Sequence, residues 1–500
     1  MKTWDVVIIG SGISSLTSAA LLAKKGKSVC VLEKHTKPGG YLHCFNRFGI
    51  QYDTGGHYVG ALDPGQPFHT LLNYLGVWDK NLFSPLDPSG FDVLQFPSFK
   101  IEIPKGYEAL IARLSSVFPS EASGIKTYFS KVSETVKLFP TYSFNSEIDD
   151  SALLSVLNAS VKTVVDEHVR DEKLKAVLFA YSALYGVFPE HMSFGLHCLV
   201  VDSIIRGSYG FKNGGDALAQ KFVELIRKSG GEVRLKSKVM RLETNEKRIT
   251  NVILETGETL KAEWVISGIH PKATFRLLAD APQTPAFMSR LNKIQESVGL
   301  FGLYGYGLSE IDLSPEKNYY YFTSENTSEF LTYDKPTDPP KVLFMARNDR
   351  KNVESGKRPV TIHSACPISW FSDWRGTRVN RRQKEYYELK DAVAGAVLKS
   401  VDRYLPNFSN WIEDYDTSTP LTNICFNGSE EGTAYGIYHS IENTGLRALG
   451  PRTHFSNLLL TGQSTLCPGF LGSAISGLRS AGHLVGMKPI LKELSQWANT

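Results

Sequence analysis

The chain has 500 residues, 42% hydrophobic and 21% charged, which suits two or three globular domains and excludes a disordered chain. Lys+Arg 55 against Asp+Glu 51 leaves a formal charge of +4, too weak for a dedicated nucleic-acid binder. Six scattered cysteines (Cys30, Cys44, Cys198, Cys366, Cys425, Cys467) hold no C-x-x-C pair, so they fit neither a disulfide framework nor a zinc site and suit a reducing compartment.

Val6–Ile9 is a short β-branched run, as in a strand buried on both faces. Gly10-Ser11-Gly12-Ile13-Ser14-Ser15 turns sharply, Leu16–Lys25 reads as an Ala/Leu-rich helix ended by Gly26, and Ser28–Glu33 is a second strand. Because the chain opens Met-Lys-Thr-Trp-Asp and enters a strand at once, no signal peptide is expected. No apolar run reaches the roughly 18–20 residues of a membrane-spanning helix. The expectation is a cytoplasmic protein, either soluble or peripherally bound to a membrane.

Pro38-Gly39-Gly40 opens a long loop region. From about 61 to 195 the strand–helix alternation lapses, and Glu108–Leu138 and Ser151–Leu184 carry helical spacing. It returns at Gly214-Gly215, with a helix to about Lys228 and a strand over Val233–Leu242. Val252–Thr256 and Thr259–Ala262 predict a hairpin, and Trp264–Ser267 a further short strand. Beyond about 276, Gly299–Leu308, Tyr319–Phe322, Val342–Ala346 and Val360–Ala365 are β-rich, and Gln383–Tyr404 predicts a helix. Asn457–Gln463 runs strand into turn, and Gly469–Leu484 is a Gly/Ala/Ser-rich helix. The expected α/β architecture is a discontinuous Rossmann-like domain from 1–60, 200–275 and 445–490. It is interleaved with a mixed α+β substrate domain from 61–199 and 276–444, which carries a helical insert.

Gly10-x-Gly12-x-x-Ser15 after a strand and before a helix is the dinucleotide fingerprint in its required setting. Gly10 permits the turn, Gly12 lets backbone approach a pyrophosphate at the helix N-terminus, and Ser15 stands where a third glycine often packs helix on strand. Glu33 follows about 20 residues on, where a carboxylate binds ribose hydroxyls. Two further pieces separate FAD from NAD. The loops Pro38-Gly39-Gly40 and Asp53-Thr54-Gly55-Gly56-His57 let backbone pass a large planar cofactor, and Thr461-Gly462-Gln463 precedes a second helix N-terminus. The positive end of that helix dipole suits negative charge on a reduced flavin. FAD extended between two helix ends explains all three pieces; NAD explains the first alone.

Residues 1–60 resemble the flavin amine oxidase and phytoene desaturase superfamily. Val31–Gly40, Asp53–Gly60, Tyr185-Gly186-Val187 with Pro189, and His197 resemble its retinol saturase (all-trans-retinol 13,14-reductase) and carotenoid isomerase branch. So do Asn318-Tyr319-Tyr320, Trp370-Phe371 with Trp374, Pro420–Asn423, Tyr435-Gly436 and Leu460–Gln463. Ser15 departs from a family glycine, and the opening sequence departs from the branch's endoplasmic-reticulum targeting. The resemblance implies a glutathione-reductase/amine-oxidase type FAD domain and an enzyme that saturates, desaturates or isomerises a C=C bond of a conjugated isoprenoid. Its substrate would be a retinoid, a carotenoid or another unsaturated lipid.

The resemblance places cofactor contacts at Gly10, Gly12, Ile13, Ser14, Ser15, Glu33, Lys34, Gly39, Gly40, Gly55, Gly56, His57, Val239, Gly462, Gln463 and Gly472. Val239 would face the adenine through its backbone, and Gln463 the flavin pyrimidine through its amide or backbone N–H. His57 and Tyr58 are the first choice of proton donors; the alternative for His57 is a hydrogen bond to the flavin edge. Tyr435, before Gly436, completes the catalytic candidates as part of a loop over the flavin, against the alternative of a plain turn. Tyr185 and His197 fit buried aromatic packing better than catalysis. No second Gly-x-Gly-x-x-Gly in strand–helix context serves a nicotinamide, so a reductase would take electrons from another protein or from NAD(P)H without its own Rossmann domain. An isomerase has no such demand.

Trp370 to Trp374 followed by Arg375, Arg378, Arg381, Arg382 and Lys384 suits either an anionic membrane surface or a solvated helix start with packed tryptophans. His197, His270 and His363 lack ligand-like spacing, so no metal is expected, and no G-x-S-x-G elbow supports a covalent hydrolase. The remaining alternatives are an amine or protoporphyrinogen oxidase and a flavin-dependent isoprenoid carrier without turnover.

Overall fold

The computed structural model describes residues 3–147, 149–281, 283–347 and 356–498. Met1-Lys2, and the parts of the expected substrate domain at 148, 282 and 348–355, lie outside the described residues. The first strand, Thr3–Ile9, is the centre of a Rossmann-like sheet. Its neighbours are Val29–Leu32 on one side and Thr259–Ser267 on the other, both parallel to it. Glu232–Arg234 adds beyond Val29–Leu32, and Leu458–Leu460 pairs in parallel with the end of Thr259–Ser267. Parallel strands buried on both faces need apolar side chains throughout, and Val6, Val7, Ile8 and Ile9 are all buried.

Helix Ile13–Lys24 follows the first strand and buries every residue from Ile13 to Ala23. A helix walled in all round must be narrow, and Ala, Ser and Thr fill that need. Its tightest neighbour is the helix Phe470–Val485. Ser18 Oγ donates to the Gly477 carbonyl at 2.9 Å, and a Cβ on Gly477 would sit 2.2 Å from the Ser14 carbonyl oxygen. These two helices therefore meet backbone to backbone.

A second seven-stranded sheet forms the other half. In order across it run Asp414–Ser418, Gly299–Gly307, Arg358–Cys366, Val342–Arg347, Asn318–Phe322, Asp92–Gln95 and Lys100–Ile103. All pairs are antiparallel except Asn318–Phe322 with Asp92–Gln95. A small sheet of Tyr58–Gly60, Ser208–Phe211 and Phe83–Pro85 lies outside these two.

Several predicted elements subdivide for local chemical reasons. The stretch Glu108–Leu138 breaks at Pro119 into Tyr107–Val117 and Ala122–Lys137, since proline lacks the N–H to continue a helix. Ser151–Leu184 becomes Asp150–Asn158, Val161–His168, Glu172–Phe179 and a 3-10 turn, each α-helix started by a side-chain cap from Asp149, Ser160 or Asp171. Val233–Leu242 divides into Glu232–Arg234 and Val239–Asn245, with Lys236 left-handed between them. Conversely, Thr259–Ala262 and Trp264–Ser267 form one strand.

Trp370 to Trp374 lies in a 3-10 helix, Ile368–Trp374, with Phe371 buried and Trp374 packed edge-on to Tyr386. Among the described residues, no helix is long and apolar enough to cross a membrane.

Gly477→Ala should destabilise the fold by about 1–3 kcal/mol, since the backbones must separate to admit one methyl. Gly450→Ala, where the added carbon meets nothing within 4 Å, is the control. Equal denaturation midpoints for the two variants would contradict this packing.

Candidate active site

The strand ends Ile9, Leu32, Gly268 and Thr461 open together onto one cavity of about 750 Å³. The C-terminal edge of a parallel sheet, where strand order reverses, is where such folds form crevices. Two helix N-termini reach it. Ile13–Lys24 starts at Gly12 and Phe470–Val485 at Gly469, neither with a side-chain cap or an acidic residue in its first turn. Their first-turn N–H groups therefore remain available to an anion.

Glu33 organises the fingerprint loop. One carboxylate oxygen accepts from the Ser11 N–H (2.9 Å) and hydroxyl (2.5 Å), the other from the His35 N–H at 2.8 Å. Ser11 in turn holds Gly39, whose N–H donates to the Ser11 carbonyl at 3.0 Å. Gly10, at φ +87°, makes the turn, while a Cβ on Gly12 would meet no protein atom within 4 Å. That open space, between a carboxylate and a free helix end, fits a dinucleotide's ribose and pyrophosphate.

The other half of the cavity is walled by Tyr142, Leu199, Ile204, Phe330, Phe344 and Phe470, with Tyr304, Tyr320 and Tyr435. Two hydrogen-bonded clusters face it. In the first, His57 Nε2 and His363 Nε2 lie 2.7 Å apart, with the His57 ring stacked on Phe344. One ring donates and the other accepts; burial pulls the His363 ring down to about 4, which keeps that ring neutral.

The second cluster is centred on Asp92, which is fully buried. Asp92 Oδ1 accepts from the Asn318 side-chain amide at 2.8 Å; Oδ2 accepts from the Tyr181 hydroxyl at 2.8 Å and the Tyr58 hydroxyl at 3.4 Å. The Tyr58 and Tyr320 hydroxyls are 2.8 Å apart, and both rings line the cavity. Burial raises Asp92 to about 7, against the three hydrogen bonds that favour its charge, and pushes Tyr58 and Tyr320 well above the usual tyrosine range.

Of the residues singled out by sequence, Gly10, Gly12, Ile13, Ser14, Glu33, Lys34, Gly39, Gly40, Gly55, Gly56, His57, Tyr58, Val239, Tyr435, Gly462, Gln463 and Gly472 line this cavity. Ser15 lies behind it, buried, its hydroxyl 1.9 Å from where a Cβ on Gly268 would sit. The space beside Gly55 and Gly56 is filled by the rings of Tyr41 and Phe470. Tyr435 donates its hydroxyl to the Ala183 carbonyl at 3.2 Å, and Gln463 donates its amide to the Ala434 carbonyl at 3.3 Å. Away from the cavity lining, Tyr185 and Tyr128 hydroxyls bracket the two ring nitrogens of His197 (2.7 and 3.0 Å), a buried neutral cluster that packs the insert.

Asp92 and Tyr181 were not singled out by sequence; Tyr320 had a signal within the Asn318-Tyr319-Tyr320 segment, and His363 was weighed there as a metal ligand alone.

Residues 8–75 match the model of the NAD(P)-binding Rossmann-like domain. Over 96% of this chain and 86% of the relative, it is 28% identical to the all-trans-retinol 13,14-reductase of Danio rerio. The chain resembles the all-trans-retinol 13,14-reductases over nearly its whole length. It is also 22% identical to the chloroplastic prolycopene isomerase of Arabidopsis thaliana, over 87% of this chain and 74% of that protein. In fold it is similar to cyclohexylamine oxidase from Brevibacterium oxydans, with TM-score 0.59, 15% identity, and coverage of 100% of this chain and 99% of the other.

The neutral His363 ring makes a pH prediction. Unfolded histidine takes a proton near pH 6.5 and His363 in the fold near 4, so its contribution to stability is present above pH ~6.5. It is lost as pH falls through that window, at up to ~1.4 kcal/mol per pH unit. Urea unfolding of wild type and His363→Gln between pH 7 and 4 should show the shallower slope in the variant; parallel slopes would contradict the assignment.

Proposed function

We propose that this chain is an FAD-dependent oxidoreductase acting on a C=C bond of a conjugated isoprenoid, as a reductase of a retinoid or carotenoid. The observation that carries the reading is a single cavity with two uncapped helix N-termini at a Rossmann-type sheet edge and two protic clusters in an aromatic-walled half. The resemblance to all-trans-retinol 13,14-reductases supports the substrate class.

Gly10, Gly12, Ile13 and Ser14 would hold the pyrophosphate, Glu33 the ribose, and the backbone at Val239 the adenine. Lys34, Gly39 and Gly40 border that end; Gly55, Gly56, His57, Gly462, Gln463 and Gly472 border the isoalloxazine end, with Ser15 supporting the helix from behind. The discontinuous segments 1–60, 200–275 and 445–490 carry this cradle, and 61–199 with 276–444 carry the substrate half. When bound, FAD supplies the electron pair and hydrogen exchanged at one carbon of the double bond.

The chain's own groups do the rest. Aromatic and aliphatic walls bind and straighten the polyene and exclude water. His57 and Tyr58 present protons to the cavity, and Tyr435, tied to Ala183, closes its side. Reducing equivalents come from a partner protein or from NAD(P)H. A second reading, a cis–trans isomerase, is favoured by the similarity to prolycopene isomerase and needs no external donor.

Phe330, Val342, Ser364 and Ala365 wall both the main cavity and a small recess lined by Trp370. We infer that the substrate enters on this side, with the neighbouring Arg375, Arg378 and Arg381, all exposed, meeting an anionic lipid surface.

Gly12→Val and Glu33→Lys should each lower flavin affinity by about tenfold or more, read as loss of bound-flavin absorbance from the purified protein. Full flavin occupancy in both variants would overturn the cofactor assignment. Anaerobic addition of all-trans-retinol to the reduced wild type should restore oxidised-flavin absorbance. No reoxidation with flavin in place would overturn the proposed reductase activity on retinol.

A further inference from the structure

We propose that Asp92 acts as the proton reservoir of the cavity, refilling Tyr58 as Tyr58 passes its hydroxyl proton to the substrate carbon. This rests on the reading of function above and deepens it. Tyr58 alone is a poor acid here. Its hydroxyl sits in a desolvated cluster, and a bare phenolate beside Tyr181, Tyr320 and Asp92 would carry charge with little to compensate it. A proton leaving Tyr58 must therefore be replaced as it goes.

Asp92 is placed to replace it. Its carboxyl is buried behind Tyr58, outside the cavity lining, so substrate does not reach it directly. The groups facing it are the Asn318 amide from the strand Asn318–Phe322, the Tyr181 hydroxyl from the 3-10 turn Ala180–Leu184, and the Tyr58 hydroxyl from the strand Tyr58–Gly60. Among the described residues, no cationic side chain forms an ion pair with it. Burial without a cation keeps the proton on Asp92 to about pH 7, whereas an exposed aspartate loses it near 3.9. When protonated, Asp92 donates from Oδ2 to the Tyr58 oxygen; once the proton has gone, the re-formed Tyr58 O–H joins Asn318 and Tyr181 as a donor to the carboxylate, so each protonation state has its partners.

The step balances as follows. The reductant is of the flavin class, and a substrate carbon left with the added electron pair forms its C–H bond with the Tyr58 proton. The phenol O–H breaks and re-forms with the proton from the Asp92 carboxyl. The single negative charge ends on Asp92, and between turnovers, once product has left, a proton from solvent in the cavity returns to it through Tyr58. Tyr320, hydrogen-bonded to Tyr58 at 2.8 Å, holds the phenol in place throughout.

The test uses the flavin-loaded protein, all-trans-retinol as probe, and the near-isosteric variant Asp92→Asn. Asp92→Asn should retain flavin and bind retinol with unchanged KM, and turnover should fall about 100-fold at pH 6. Wild-type turnover should fall about tenfold per pH unit above pH ~7, because the acid must be protonated, and that dependence should vanish in the variant. Tyr58→Phe should lose turnover similarly while keeping Asp92 protonated.

A readout independent of turnover is infrared spectroscopy. The C=O stretch of a protonated carboxyl should titrate near pH 7 in wild type and be missing from Asp92→Asn. Full turnover with an unchanged pH profile in Asp92→Asn would overturn the inference and assign the proton to the His57–His363 pair. Asp92 ionised at pH 6 would overturn it whatever the substrate. A wild type that holds this proton yet turns over no polyene would overturn the reading of function while supporting the network.

Discussion

Backbone contact between the helices Ile13–Lys24 and Phe470–Val485 is the constraint from which the site follows. With Gly477 against the Ser14 carbonyl, residues from opposite ends of the chain become neighbours, and both helices point their uncapped N-termini at one cavity. Any side chain at Gly477 would part them. The sheet behind adds the rest: four strand ends open at the same edge, and Glu33 ties the fingerprint loop to the second strand through Ser11. Fixed donors at a helix end cost no reorganisation when an anion arrives, which is why the cradle is made of backbone rather than of flexible cations.

In the opposite half of the cavity, desolvation decides the chemistry. Asp92 and His57 are buried, the His57 ring stacked on Phe344, and burial also acts on His363, so charge there is expensive and protons stay where hydrogen bonds hold them. The two clusters respond in opposite senses. Burial keeps the proton on the carboxyl of Asp92 and keeps one off the imidazole of His363. A cavity that stores protons on neutral groups while excluding water suits reduction of an apolar polyene, because the proton reaches carbon without a solvent pathway at the reacting bond.

How much of this was legible in the sequence depends on distance along the chain. The fingerprint loop, its strand and Glu33 sit within one βαβ start, so spacing alone placed them at the cavity. Helix breaks at Pro119 and at the caps Asp149, Ser160 and Asp171 were written in the sequence but outweighed by continuous apolar periodicity. The proton clusters were not legible in this way. His57 meets His363 across 306 positions, and Tyr58 meets Tyr320 across 262. Asp92 falls in the stretch where strand–helix alternation lapses, and only the folded chain, through the pairing of Asp92–Gln95 with Asn318–Phe322 and the approach of Tyr181 and Tyr58, brings its partners together. Tyr185 and His197, expected to fit packing better than catalysis, are buried, with the Tyr185 and Tyr128 hydroxyls on the two ring nitrogens of His197.

The central claim is that this cavity carries out reduction of a conjugated C=C bond. It is tested most directly by incubating the reduced, flavin-loaded protein anaerobically with all-trans-retinol and with a cis-carotene, then identifying products by liquid chromatography and mass spectrometry. The account predicts a product heavier by one pair of hydrogens, with its absorption moved to shorter wavelength. Recovery of both polyenes unchanged from protein that still holds its flavin would contradict it.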